Sequence, residues 1–261
     1  MTTPIGHLPK PGERRLAVRV TADAMRQIRG GSPWLYDGSI TSVSHDGEPG
    51  DLAVIFDDKR KFAAIGLWDP TSPIRVKLLH RGSPTQIDGE FWRAVLSNSF
   101  DRRAMLADDP DTTAYRLVHG ENDALPGLIV DRYDQTLVVK IYTPAWFAHL
   151  ADVVDALTEL QSPVRIVLRL SRSVAGGETF GLSDGDTIVG PAPDGPVLFR
   201  ERDLTMEADV VHGQKTGHFL DQRDNRALVR SMAEGASVLD VFASTGGFSV
   251  AAAAGGATSV H

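Results

Sequence analysis

The alternation of apolar and polar positions predicts a strand-rich segment at the front of the chain. Residues 14–20 alternate with the period of a half-buried strand, and residues 22–31 predict a short helix that ends at a glycine pair. Further strands are predicted between runs of turn-forming residues, at 39–44, 51–56, 61–68 and 74–79. Short strands at such close spacing are typical of a small β-barrel, which we place in residues 1–85.

Helices and strands are interspersed in the middle of the chain. A helix is predicted over 88–107, with Asp88 as its N-cap, and a second over 144–160, with proline in its first turn. Strands are predicted at 114–120, 127–133, 136–142 and 164–170. Residues 171–196 are dense in glycine, serine, aspartate and proline, which predicts a loop. The pattern indicates an α+β domain over residues 86–195.

The last part of the chain has the pattern with which a parallel α/β fold begins. A hairpin is predicted over 196–210 and a helix over 219–235. Residues 237–243 are apolar without alternation, as in a strand buried on both faces, and a helix of small residues is predicted over 248–254. We therefore expect residues 196–261 to form the first part of a nucleotide-binding α/β domain.

Charge is distributed unevenly along the chain. The 261 residues carry a net charge of −7, and none of them is cysteine. Residues 1–85 contain 12 Lys+Arg and 9 Asp+Glu, a balance of +3, while the remainder contains 15 and 25, a balance of −10. A mildly basic front indicates an anionic partner, although an ordinary solvated surface would show the same imbalance. The missing cysteine excludes disulfides and cysteine-based metal sites, and we predict no metal site.

The sequence predicts neither a targeting segment nor a membrane span. The N-terminal residues contain no apolar stretch of the kind that a secretory signal needs. Val241–Val260 is uncharged, but it is rich in Gly, Ser, Thr and Ala rather than in the large apolar side chains of a spanning helix. We therefore expect a cytoplasmic protein without membrane contact.

A glycine loop between the last predicted strand and helix is the first candidate for chemistry. In "DVFASTGGF", Asp240–Phe248, the glycines let a ligand approach the backbone, and the amides of the following helix favour a carboxylate or phosphate. Phe248 stands where a P-loop needs Lys-Ser/Thr, and the G-x-G-x-x-G spacing of a dinucleotide site is absent. S-adenosylmethionine (SAM) is the remaining ligand class, and Asp240 fits its acidic residue near the strand end. Glycines that only allow tight strand–helix packing are the alternative.

A second candidate segment lies shortly before the loop. In "GQKTGHFLDQRDNR", Gly213–Arg226, two glycines bracket a Lys-Thr pair, but the spacer of a Walker motif is missing. Asp221 falls in the first turn of the predicted helix, where a carboxylate complements the helix dipole. The alternative is a capping acid surrounded by surface polar residues, with no ligand.

These two segments together resemble the large-subunit ribosomal RNA cytosine-C5 methyltransferases that have an N-terminal PUA domain. Upstream, residues 29–40 and 50–79 are similar to that PUA domain, and residues 115–133 are similar to the central domain of the family. The resemblance covers almost all of the chain. It implies an α/β protein made of a PUA-like β-barrel, an α+β central domain and the beginning of a Rossmann-like methyltransferase domain.

The resemblance also implies which residues contact the cofactor, S-adenosylmethionine. The segment 213–226 packs beside the cofactor in this family, and the amides of the glycine loop meet its methionine carboxylate. Ordinary core packing is the alternative for Phe219. The implied cofactor residues are Lys215, Thr216, Phe219, Asp221, Asp240, Ser244, Thr245, Gly246 and Gly247.

The chain departs from the family in its length and in the absence of cysteine. C5 of cytosine is too electron-poor to attack SAM until a thiolate has added to C6. No catalytic residue is therefore predicted within the 261 residues, and the nucleophilic cysteine is expected beyond His261. We expect a C-terminally truncated methyltransferase, inactive by itself. The alternatives are a non-catalytic RNA-binding module and a related enzyme that methylates guanine.

RNA contact is expected mainly in the PUA-like part, where basic residues could meet phosphates and a tryptophan could stack on a base. A solvated basic face with a packed tryptophan is the alternative. Ribosomal RNA is the expected partner, and the resemblance implies a homodimer, because family members are often dimers. The candidate RNA-binding residues are Arg19, Arg26, Arg29, Trp34, Lys59, Arg60, Lys61, Arg75 and Lys77.

Overall fold

The computed structural model describes residues 5–261, and its first unit is a six-stranded sheet. The strands pair in the order β2-β6-β5-β4-β1-β3, with β1 parallel to β4 and the other pairs antiparallel. One helix, α1, lies between β1 and β2. The elements are β1 (Leu16–Val20), α1 (Ala22–Arg29), β2 (Trp34–Tyr36), β3 (Ile40–Val43), β4 (Leu52–Phe56), β5 (Phe62–Trp68) and β6 (Ile74–Arg81).

Alternation along β1 explains how this first unit builds its core. Leu16 and Val18 are fully buried, while the intervening Ala17 and Arg19 are exposed. Helix α1 covers the buried face with Met25 and Ile28, and the Thr21 hydroxyl caps the helix by accepting from the amide of Ala24. The predicted strands are present. Strand β2, which no alternation signalled, adds a sixth strand at one edge of the sheet.

The second unit is a five-stranded sheet with two helices on one face. The strands pair in the order β11-β10-β9-β8-β7. Strands β9 and β10 are parallel, and α4 crosses between them, whereas the other neighbours are antiparallel. The elements are α2 (Gly89–Asp101), α3 (Ala104–Ala107), β7 (Ala114–His119), β8 (Leu128–Tyr133), β9 (Thr136–Ile141), α4 (Leu150–Gln161), β10 (Arg165–Leu170), α5 (Arg172–Ala175) and β11 (Thr187–Val189).

Two tryptophans mark the core between the sheet and its helices. Trp92 of α2 and Trp146 are both fully buried, with ring centroids 5.6 Å apart. The predicted N-cap of α2 is confirmed, because the Asp88 carboxylate accepts from the amide of Phe91 at 3.0 Å. These aromatic side chains bury large apolar surfaces alongside the aliphatic residues of the same core.

Three predictions for the middle of the chain need correction. The helix predicted over 88–107 is interrupted at residues 102–103, so that α2 and α3 are separate. The helix predicted over 144–160 begins as a 3-10 helix at Pro144–His149 before α4 starts. The loop predicted over 171–196 contains α5 and the edge strand β11. Both elements are only three or four residues long, and the turn-forming residues that surround them concealed them.

A hairpin covers the second face of the central sheet. Its strands β12 (Val197–Glu201) and β13 (Leu204–Ala208) direct Phe199 and Met206 onto Tyr133, Val138 and Val167. The centroid of the Phe199 ring lies 5.4 Å from that of Tyr133. The sheet is therefore buried on both sides. The chain after the hairpin starts on the face that the hairpin covers.

The final segment is helical with a very short parallel strand pair. A 3-10 turn, Leu220–Gln222, leads into α6 (Arg223–Met232), and α7 (Gly247–Ala254) packs against α6. Strands β14 (Ser237–Val238) and β15 (Ser259–Val260) form the pair. The prediction of a strand over 237–243, buried on both faces, is wrong. Only its first two residues are paired, and Leu239, Val241 and Phe242 are 73%, 61% and 98% exposed.

No helix within residues 5–261 has the length and apolar character needed to cross a bilayer. The uncharged stretch near the C-terminus forms a loop, the eight-residue α7 and a two-residue strand.

We predict that amide exchange separates the last segment from the rest of the chain. Strands β14 and β15 share only two residue pairs, whereas β9 is bonded on both sides by β8 and β10. Few buried contacts imply a low free energy of local opening. Hydrogen–deuterium exchange should show residues 237–261 exchanging fast and β8–β10 exchanging slowly. Equal protection in the two regions would contradict this reading of the last segment.

Candidate functional site

A cavity of about 260 Å³ forms where the two candidate segments meet. One wall comes from the residues that precede α6, and the other comes from the glycine loop and the start of α7. The lining residues are His218, Phe219, Gln222, Arg226, Phe242, Ala243, Ser244, Thr245, Gly247 and Phe248. The predicted proximity of the two segments is thus present in the structure.

The glycine loop has an unusual backbone conformation at every second residue. Phe242, Ser244 and Gly246 have positive φ angles of 64°, 54° and 73°. Residues other than glycine rarely adopt this region, and such conformations concentrate at ligand sites. Gly246 is also the N-cap of α7, and the amides of the first turn have no carbonyl partner within the helix. This end of the cavity is therefore suited to an anionic group.

Asp240 is engaged by the helix that follows the loop. Its Oδ2 atom accepts from the Ser249 amide at 3.1 Å and from the Ser249 hydroxyl at 2.7 Å. The carboxylate therefore fixes the first turn of α7, and Asp240 is absent from the lining of the cavity. In this structure Asp240 supports the glycine loop from outside the cavity.

Lys215 and Asp221 form an exposed ion pair beside the aromatic wall. The Lys215 ammonium lies 3.2 Å from Asp221 Oδ1 and 4.1 Å above the centroid of the Phe219 ring. Desolvation by itself would raise the pKa of Asp221, but hydrogen bonding and attraction to Lys215 outweigh it, so the pKa lies below its ordinary value. The pair holds the Phe219 ring from outside the cavity, and neither charged group lines it.

Thr216 anchors this segment to the central sheet through buried hydrogen bonds. Its hydroxyl donates to Asp131 Oδ2 at 2.6 Å and lies 3.1 Å from the Tyr133 hydroxyl. Asp131 is fully buried, and its two oxygens also accept from Arg116 at 2.9 and 3.1 Å. The Tyr133 hydroxyl in turn accepts from the amide of His218 at 3.0 Å. A polar chain thus runs from the sheet to the cavity wall.

His218 is a site residue that the sequence analysis missed. Its ring lies 5.1 Å from the Phe199 ring, and Nδ1 lies 3.2 Å from the Thr245 hydroxyl in the glycine loop. The residue is almost completely buried, with 3% of its surface exposed. Burial, followed by repulsion from Arg226, lowers the pKa of His218 to about 4, so the ring is neutral at pH 7. A single histidine between Gly and Phe gives no local signal of this contact.

Arg226 closes the base of the cavity through a buried ion pair. Its Nε atom donates to Glu201 Oε1 at 2.7 Å, and a terminal nitrogen donates to the Phe219 carbonyl at 2.9 Å. Gly247 is close to both sides of this base. A Cβ atom there would lie 3.2 Å from the Arg226 Cδ atom and 3.2 Å from His218 Cε1. A side chain at this position would therefore require His218 or Arg226 to shift.

Four of the nine predicted cofactor residues line the cavity, namely Phe219, Ser244, Thr245 and Gly247. The other five, which support the walls or lie outside them, are Lys215, Thr216, Asp221, Asp240 and Gly246. Within residues 5–261, no group of three or more acidic or histidine side chains is placed to hold a metal ion.

Ion pairing divides the candidate RNA-binding residues into two sets. Four basic side chains are paired within the first unit: Arg26 with Asp23, Arg29 with Asp57, Arg75 with Asp37 and Lys77 with Asp69. The remaining four, which are exposed and make no ion pair with any residue in 5–261, are Arg19, Lys59, Arg60 and Lys61.

The structure contradicts the predicted RNA contact of Lys77. The residue is 6% exposed, and its ammonium donates to Asp69 Oδ2 at 2.6 Å and to the Ile74 carbonyl at 2.8 Å. A buried, paired ammonium is not presented to an RNA phosphate. Trp34 is half-buried and donates to Glu121 Oε1 across the boundary with the central unit at 3.2 Å.

Comparison with protein families identifies both ends of the chain. Residues 18–81 match the PUA-like domain family, and residues 194–261 match the S-adenosylmethionine-dependent methyltransferase family. The front of the chain is therefore similar to PUA-like domains and its last part to SAM-dependent methyltransferases, within an α/β fold. S-adenosylmethionine is the cofactor of this segment's family.

Curated relatives are similar across nearly the whole chain. A "Ribosomal RNA large subunit methyltransferase" of Deinococcus radiodurans is 46% identical over 257 residues, which are 97% of this chain and 63% of the relative. A "Ribosomal RNA large subunit methyltransferase I" of Tolumonas auensis is 35% identical over 229 residues, 87% of this chain and 57% of the relative. The chain thus spans less than two thirds of the length of these relatives.

Solved structures share the fold at low sequence identity. A protein from Streptococcus mutans, provisionally described as a SAM-dependent methyltransferase, superposes with a TM-score of 0.79 at 22% identity, covering 94% of this chain and 62% of that chain. A second structure, provisionally described as a methyltransferase and complexed with SAH, gives the same TM-score and identity and covers 94% and 61%. The likeness extends across all the units described above.

We predict that the two adjacent loop glycines respond differently to substitution. Gly247→Val should abolish binding of S-adenosylhomocysteine (SAH), because the new side chain pushes into His218 and Arg226. Gly246→Ala is the matched control. Its Cβ would meet nothing within 4 Å, so only backbone strain of about 1 kcal/mol is expected. Isothermal calorimetry with SAH, alongside urea unfolding, checks both. Wild-type affinity in Gly247→Val would remove this cavity from the cofactor site.

We also predict that His218 makes the chain less stable in mild acid. Its folded pKa of about 4 lies below the ordinary value of 6.5, so the unfolded state binds the extra proton first. Stability should therefore fall as the pH drops from about 6.5 towards 4. His218→Phe should lose part of this dependence, measured as the urea midpoint at pH 7 against pH 5. His149, whose pKa burial also lowers, contributes equally to both proteins. An unchanged pH dependence in the variant would show that His218 does not titrate in this window.

Proposed function

We propose that the chain serves SAM-dependent methylation of large-subunit ribosomal RNA, with C5 of a cytosine as the target. The cavity carries this proposal, because residues of the glycine loop and residues of the segment before α6 line it together. The names of the relatives and the two family matches support it.

Each part of the chain has a distinct role in the proposed reaction. The amides of Gly247 and Phe248, together with Ser244, would receive the methionine carboxylate of SAM, while the Phe219 ring would pack on the cofactor as an apolar wall. His218 stays neutral, so it places no positive charge beside the sulfonium of SAM. The PUA-like unit would hold the RNA. We propose a cytoplasmic location, where ribosomal RNA is found, and a homodimer.

The chemistry at cytosine needs one group that these residues do not have. A thiolate must add to C6 before C5 can accept the methyl group, and the 261 residues include no cysteine. Two other functions therefore stay under consideration. A guanine-directed methyltransferase needs no thiolate, and an RNA-binding module needs no methyl transfer.

Methyl transfer to unmodified large-subunit ribosomal RNA tests the proposal. With radiolabelled SAM, the 261-residue chain by itself should leave cytosine unmethylated, while a relative of full length, such as that of D. radiodurans, should label it. Labelled cytosine from the chain alone would overturn the thiolate mechanism, and labelled guanine would support the second function. Failure of the chain to bind SAH would favour the RNA-binding module.

A further inference from the structure

A cavity of about 760 Å³ lies where the first unit meets the central unit. The first unit lines it with residues from the loop before β4 and from the turn between β5 and β6. The central unit lines it with the residues that follow β9 and with α5 and the segment after it. It shares no residue with the cofactor cavity, and none of the comparisons assigns a role to it.

Buried contacts between the two units fix the walls of this boundary cavity. His149 Nε2 donates to the Gly50 carbonyl at 2.8 Å, and the Thr143 hydroxyl donates to Asp69 Oδ2 at 2.6 Å. At Gly50 the backbones are so close that a Cβ atom would lie 2.7 Å from the Ala145 carbonyl oxygen. The loop and the turn are therefore anchored on the central unit, and the cavity is preformed, as ligand sites between domains commonly are.

The boundary cavity is acidic. The carboxylates that line it are those of Glu48, Asp51, Asp69 and Glu178. Asp69 is neutralised by the buried Lys77, but the other three make no ion pair with any residue in 5–261. Among the described residues, Lys10 is the one basic side chain in the lining. The cavity therefore attracts cations and repels phosphate groups.

Asp51 has acceptor capacity that the protein does not use. The residue is only 9% exposed, and its Oδ1 and Oδ2 atoms accept from the amides of Gly12 and Glu48 at 2.6 and 2.9 Å. A carboxylate has about four acceptor positions, so each oxygen can accept a further hydrogen bond. A guanidinium fork can bind both oxygens of a carboxylate, and it would supply the charge that Asp51 lacks.

Apolar and aromatic surfaces make up the remaining walls. Tyr142 is 50% exposed, and its hydroxyl has no hydrogen-bond partner within residues 5–261, while Phe180 is half-buried on the facing segment. Guanidinium groups bind aromatic faces favourably. Proline rings, whose backbone angle is fixed, form rigid apolar surfaces between these groups. The prolines in the lining are Pro9, Pro49, Pro73 and Pro144.

We propose that the boundary cavity binds an arginine-bearing peptide segment of a partner protein. One guanidinium binds Asp51 and the neighbouring Glu48, and the rest of the segment packs on the prolines and the two rings. Arginine suits this site better than lysine, because its planar fork pairs with carboxylates and stacks on aromatic faces. Proteins bound to RNA carry basic segments, so the choice of partner rests on the proposed function.

Fluorescence anisotropy with a labelled peptide of alternating arginine and proline tests the cavity, without SAH or RNA present. Glu48→Gln combined with Glu178→Gln should weaken binding about fivefold at low salt, because two exposed ion pairs are lost. Tyr142→Leu should weaken binding about threefold. A peptide with citrulline in place of arginine keeps the shape without the charge, and it should bind more weakly than either variant binds the arginine peptide.

Glu207→Gln combined with Glu234→Gln is the matched control, because it removes the same charge from exposed positions without ion pairs in the described range, away from the cavity. It should keep wild-type affinity for the peptide, with an unchanged urea midpoint in both double variants. Equal losses in the two double variants, or equal affinity for the citrulline peptide, would overturn the proposal.

Single-stranded RNA is the competitor that separates the two classes of partner. We expect it to leave the peptide bound, since phosphates meet uncompensated carboxylates in the cavity. Displacement of the peptide by RNA would overturn the assignment to a peptide. Absence of peptide binding in a wild-type chain that still binds SAH would overturn the boundary site alone and leave the proposed function standing.

Discussion

The buried carboxylate of Asp131 is the interaction on which the cofactor wall depends. It is fully buried, and an unpaired charge in that position would be costly. Arg116 on the neighbouring strand compensates the charge, and the Thr216 hydroxyl donates a further hydrogen bond to Asp131 when the segment 213–226 docks on the central sheet. Docking places the Thr216 hydroxyl beside the Tyr133 hydroxyl, which also accepts a hydrogen bond from the amide of His218. The central unit thereby positions one wall of the cavity.

Local patterns were sufficient for most strands and helices, because alternation and capping act over a few residues. The β1 alternation and the Asp88 cap are examples. The prediction of a strand over 237–243 was wrong because burial on both faces depends on neighbouring strands and helices, which local sequence does not specify. Within the site, glycine and aromatic signals located Phe219 and the loop. The partner of His218 lies 27 residues away, so no local pattern revealed it.

Ion pairing among distant residues also lay beyond sequence analysis. Nothing near Lys77 in the sequence shows that Asp69 neutralises it inside the sheet, whereas Arg19 and Arg60 are exposed and make no ion pair within residues 5–261. The net charge of −7 therefore conceals exposed basic side chains on the first unit. The proposed RNA grip and the cofactor cavity lie on different units, and the central sheet with its hairpin stands between them in sequence.

The role of the buried polar chain is tested most directly by Tyr133→Phe, measured by calorimetry with SAH. The change leaves the buried amide of His218 and the Thr216 hydroxyl short of a partner, a loss of about 1–3 kcal/mol, while the ring stays packed on Phe199. The account predicts that SAH affinity falls about tenfold or more, and that the matched Tyr115→Phe change on β7 leaves it unaltered. Wild-type affinity for SAH in Tyr133→Phe, with only the unfolding midpoint lowered, would contradict it.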